Sequence, residues 1–78
     1  YLTRNDLMTN HRTYKKIEIV GTSPNSIEEA IHNAIAESAI TVKNMDWFEV
    51  VETRGHIVND SVAHFQVTVK IGFRIEAS

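Results

Sequence analysis

Phe65-Gln66-Val67-Thr68-Val69-Lys70-Ile71-Gly72-Phe73-Arg74-Ile75 decides the fold. Every odd position holds a large apolar residue, and every even position is polar, charged or glycine. Successive side chains of a strand point to opposite faces, so this run is a strand with one face on a core and one polar face. Its length is about 36 Å at ~3.4 Å per residue, roughly twice that of a common strand. Such a strand must curl around whatever covers it or extend beyond it.

Upstream, Asn59-Asp60 is a reverse-turn pair joining this strand to a second one, Asp46–Val58. In the second strand Phe48 and Val50 are core candidates, while Trp47 and Glu49 point outward. Val50-Val51 then places two apolar residues side by side. A β-bulge there turns both inward, reverses the parity and brings Glu52, Arg54 and His56 onto the face of Trp47. Before it, Ser26–Asn44 reads as a helix. Ser26 and Glu29 have capping-box spacing, and Ile27, Ala30, Ile31, Ala34, Ile35, Ser38 and Val42 form one Ala-rich stripe suited to close approach to a sheet. Thr13–Val20 is the first strand, with Ile17 and Ile19 on one side and Lys16 and Glu18 on the other, and Gly21-Thr22-Ser23-Pro24 breaks it. The expected fold class is α+β: a β-α-β-β chain whose three-stranded antiparallel sheet is curved around one helix.

The chain has 78 residues, with 8 Lys and Arg against 10 Asp and Glu, a net charge of −2. That balance lacks the basic stripe of a nucleic-acid binder. The apolar runs are a few residues long, too short to span a membrane. Cysteine is absent, which excludes disulfides and thiolate metal sites and fits a reducing compartment, so a cytoplasmic location is expected. Tyr1–Leu7 precede Met8 and are read as a non-native N-terminal tail, leaving residues 8–78 as a single domain. So small a domain has little core of its own, and three strands leave two unpaired edges. Both facts favour a homo-oligomer.

The outer sheet face carries the residues with chemistry to offer. Trp47, the sole Trp, is either a stacking platform for a flat ligand or a subunit-interface anchor. Gln66 can donate and accept along a ligand edge bearing adjacent C=O and N–H groups, although spacing alone favours a solvated surface role. Arg54 is a clamp for phosphate or carboxylate, or one half of a surface ion pair. His11, His32, His56 and His64 show no H-x-x-x-H spacing. His56 and His64 flank the hairpin and can approach across it, but all four are read as structural or surface residues, with no metal site. Glu28 and Glu29 favour the helix dipole rather than form an acid–base pair. No phosphate loop and no nucleophile–base arrangement is present, so the protein is not expected to be an enzyme.

Three stretches bear a resemblance that goes beyond these arguments. Tyr14-Lys15-Lys16-Ile17-Glu18-Ile19-Val20-Gly21-Thr22-Ser23 resembles the opening of dodecins. Asp46-Trp47-Phe48-Glu49-Val50 followed by Arg54-Gly55-His56, and Phe65 through Arg74, are similar to the rest of that family. The resemblance runs from about Thr13 to Glu76 and implies a hollow homo-dodecamer that stores or buffers flavin without turning it over. It implies that paired isoalloxazine rings stack between symmetry-related copies of Trp47, that Gln66 hydrogen-bonds the pyrimidine edge, and that Arg54 and Asp46 lie alongside. FMN, or riboflavin, is the implied cofactor, and quenching by the indole the implied photoprotection. Lys15 and Arg74 match positions associated with coenzyme A in some members. Glu37 and Ile40 depart from basic positions there and argue against that ligand. The alternative to flavin storage is an oligomeric shell or scaffold in which Trp47 is only an interface anchor.

Overall fold

The computed structural model describes residues 12–75. The proposed tail, His11 and the last residues lie outside the described part. The elements run β1 (Tyr14–Ser23), α1 (Ile27–Ser38), β2 (Met45–Val58) and β3 (Ser61–Arg74). The sheet has the order β1-β3-β2 with both pairs antiparallel, so the strongly alternating segment is its central strand. No helix among the described residues is long and apolar enough to cross a membrane.

The core lies between α1 and the centre of the sheet. Ala30, Ala34, Val67, Val69 and Ile71 are buried, and Ile17, Ile19, Ile31, Ile35 and Met45 pack against them. Fully burying an aliphatic side chain stabilises by roughly 1.5–3 kcal/mol, so β3 supplies most of the core energy. Gly21 belongs to this core rather than to a turn. A methyl at its position would collide with the Ala30 carbonyl and the Ala34 side chain. β1 therefore continues through Gly21 to Ser23 instead of breaking at Gly21 as expected.

α1 is shorter than its apolar stripe predicts. Ser26 caps it: its Oγ accepts a hydrogen bond from the Glu29 N–H at 3.0 Å. The reciprocal half of the capping box is missing. Glu29 instead accepts from Asn25 Nδ2 at 2.9 Å, and the Ser26 N–H donates to Ser23 Oγ at 3.3 Å. The helix stops at Ser38 rather than reaching Asn44. Ile40, Thr41 and Val42 are consecutive β-branched residues that resist helical packing, and Asn44 takes a left-handed φ of 62° before β2 begins.

The hairpin follows expectation. Asn59 and Asp60 have φ of 52° and 65°, the paired positive values of a type I′ turn. The register slips between Val50, opposite Val69, and Glu52, opposite Thr68. Val51 is thus the extra residue of the expected bulge. Glu52, Arg54 and His56 then pair with Thr68, Gln66 and His64 on the face away from α1. Two further slips occur, at Asp46 and at Ala63.

Phe48 and Val50 face the helix side but are not core residues in the single chain, being 45% and 47% exposed. α1 lies on β1 and β3, and of the edge strand β2 only its start, at Met45, packs against the core. A helix of 12 residues is about 18 Å long, against about 48 Å for the 14 residues of β3. The hairpin consequently extends past the helix, with Ile57 and Val62 71% and 56% exposed.

Candidate functional site

Trp47 lies across the outer face on a floor made by a glycine. It is the register partner of Gly72, as is Lys16 from the other side. A Cβ at position 72 would run into the six-membered ring of the indole. Because Gly72 has no side chain, residues of the two flanking strands meet across the central one. The Tyr14 ring meets Trp47 edge-on, with centroids 5.2 Å apart and planes at 63°. Glu49 Oε2 accepts from Trp47 Nε1 at 3.0 Å and from Lys16 Nζ at 3.0 Å. The indole hydrogen bond, reinforced by that of Lys16, holds the Glu49 carboxyl below its usual range. Trp47 is thereby fixed in position yet 37% exposed. Asp46, the bulged residue before it, is exposed and lines a groove of about 230 Å³ with Ile35, Met45, Phe48 and Ile71 as well as Trp47.

Gln66 and Arg54 form a second centre on the same face. They are opposite each other, with Thr22 of β1 on the far side of Gln66. Arg54 is ion-paired to Glu52 at 2.7 Å, and that hydrogen bond raises the pKa of its guanidinium further. Gln66 and the Gly72 beneath Trp47 are six positions apart along β3, about 20 Å at ~3.4 Å per residue. The fold thus puts Trp47, Gln66 and Arg54 on one face without bringing Trp47 to the other two within one chain.

Lys15 and Arg74 do come together. They line a cleft of about 420 Å³ with Lys43, Asn44 and Phe73. Glu37 lines a different groove, beside Thr22 and Asn33. Tyr14, Lys16, Glu49 and Gly72 were not singled out by sequence reasoning. The one signal for them was Gly72, the only residue without a side chain in an otherwise filled alternation.

The family model described as Dodecin matches residues 13–76. The chain belongs to the dodecin family. It is 46% identical over 65 residues to the dodecin of Thermus thermophilus, an alignment covering 83% of this chain and 94% of the relative. The solved dodecin of Streptomyces davaonensis superposes with a TM-score of 0.84 at 47% identity, covering 87% of this chain and all of that one. That of Streptomyces coelicolor gives 0.84 at 44%, covering 90% of this chain. The dodecin fold of these relatives agrees with the β-α-β-β topology found here. Within this dodecin no group of three or more His, Asp or Glu side chains among the described residues could hold a metal ion.

Proposed function

We propose that this dodecin is a non-catalytic, cytoplasmic flavin store, binding FMN or riboflavin as ring pairs stacked between Trp47 of symmetry-related chains in a hollow homo-dodecamer. The observation that carries the reading is Trp47, held on Gly72 by Glu49 and Tyr14 with an indole face left open. A fixed and exposed aromatic face is what a flat heterocycle requires. Gln66 offers a donor and an acceptor to the ring edge, Arg54 a cation to the phosphate of FMN, and Asp46 a contact beside the Trp. Since Trp47 and Gln66 are about 20 Å apart along one chain, the two would reach one ring from different copies. A bound flavin would supply a photoexcitable ring, and the electron-rich indole of Trp47 stacked on it would quench its fluorescence with no net oxidation. No acid, base or nucleophile is needed.

Coenzyme A is the weaker part of the reading. Lys15, Lys43 and Arg74 converge on one cleft, but Glu37 and Ile40 add no positive charge to it.

Visible absorption and size-exclusion chromatography test the proposal. The purified protein should be yellow, elute as a dodecamer and show quenched flavin fluorescence, and Trp47→Ala should release the flavin while the assembly survives. Trp47→Ala that keeps tight FMN binding overturns the stacking role. Colourless protein whose assembly breaks on Trp47→Ala supports the shell reading instead, in which Trp47 only anchors an interface.

A further inference from the structure

The far end of the β2–β3 hairpin carries a pair of histidines that flavin binding leaves unused. β1 stops at Ser23, opposite Phe65, so beyond that point the sheet is a two-stranded ribbon. His56 and His64 are register partners on this ribbon. Their rings face each other with centroids 5.2 Å apart and planes within 8° of parallel. Directly opposed residues of an antiparallel pair have Cβ atoms about 4.5–5.5 Å apart. From that spacing each imidazole can turn one nitrogen toward a common ion, at the ~2.0–2.1 Å of a zinc–imidazole bond. The unmatched Ala63 lies between His64 and Val62, and a bulge of this kind re-aims the side chains beside it. In the single chain His56 is exposed and His64 half-buried. The charged groups at this end of the ribbon are Glu52, Arg54 and Asp60. Glu52 neutralises Arg54 through their 2.7 Å ion pair, so the nearest cation is offset.

We infer that His56 and His64 form a two-nitrogen site for a borderline divalent transition-metal ion, Zn²⁺ or Cu²⁺, with water in the remaining positions. Imidazole donors suit these ions, whereas Ca²⁺ and Mg²⁺ demand oxygen ligands. The hairpin register rather than a helical i, i+4 spacing makes the pair. The inference stands apart from flavin binding. Its rival is plain stacking of the two rings, which has no affinity for an ion.

The test uses the full chain in its assembled form, treated with chelator and then titrated with Zn²⁺ alone by calorimetry and with Cu²⁺ alone by electron paramagnetic resonance. The expected result is one ion per chain, a Cu²⁺ spectrum coupled to two nitrogens, and an affinity that falls at acid pH because the ion displaces protons from imidazole. His56→Ala and His64→Ala should each abolish the stoichiometric site while retaining the parent circular dichroism and elution volume. If either variant loses its fold or assembly, His56→Gln and His64→Gln keep polarity and similar size and serve in its place. Non-saturable binding, equal binding of Ca²⁺, or a two-nitrogen spectrum that survives a single substitution overturns the inference.

Discussion

Gly72 matters for what it lacks. Any side chain there would occupy the space of the indole, so Gly72→Ala is expected to lift Trp47 off the sheet. In the flavin reading, FMN affinity should fall by about tenfold or more, equivalent to ~1.4 kcal/mol, with a red shift of Trp emission in the ligand-free protein. Fluorescence titration measures both. Glu49 gives a pH prediction. Its carboxyl is held below the usual range by the indole N–H and by Lys16, so the anion is favoured in the folded state. The hydrogen bonds it accepts are therefore fully present above the unfolded carboxylate's pKa and are lost as pH falls through the lower folded value. Trp47 emission should be flat at neutral pH and change only below the ordinary carboxylate range, and Glu49→Gln should remove that transition. A midpoint at or above the ordinary carboxylate range would contradict the sign.

At the level of elements, most of the fold was legible and the exceptions have physical causes. Six apolar odd positions identified β3, and Val50-Val51 located a bulge, because a period of two tolerates no unexplained double step. The end of α1 was misread since Val42 continued the stripe, while the β-branched run before it opposed the helix. The end of β1 was misread since glycine normally marks a turn, whereas Gly21 is needed under a closely packed helix. The Tyr14–Trp47 and Lys16–Glu49 contacts were beyond sequence reasoning. They join two strands that are not neighbours and depend on the order β1-β3-β2. Two stability tests follow. Gly21→Val should force α1 off the sheet and cost about 1–3 kcal/mol or more by overpacking. Ser26→Ala should cost about 1 kcal/mol through loss of the cap that receives the Glu29 N–H. Urea denaturation monitored by circular dichroism measures both, under conditions where unfolding is reversible.

For the whole molecule, the exposed apolar residues of the hairpin call for partners. Ile57 and Val62 are paired across the ribbon and uncovered by α1, and Phe48 and Val50 are left open on the edge strand. A subunit interface typically buries about 800 Å² per partner, and apolar residues of this kind supply its centre. The double substitution Ile57→Asp with Val62→Asp should shift the protein to smaller species in size-exclusion chromatography with light scattering. An unchanged mass would show that this end of the hairpin stays in solvent.

The distance between Trp47 and Gln66 along β3 carries a thermodynamic consequence in the flavin reading. If no single chain holds both walls of the pocket, ligand occupancy and subunit association are linked functions. Flavin then acts as a glue for the shell, and its free concentration sets how far the shell resists dilution and heat. Apparent melting temperature should climb with the logarithm of added FMN, and dilution below the assembly threshold should release flavin and restore its fluorescence. The store would then be governed by two concentrations at once, that of the ligand and that of the protein.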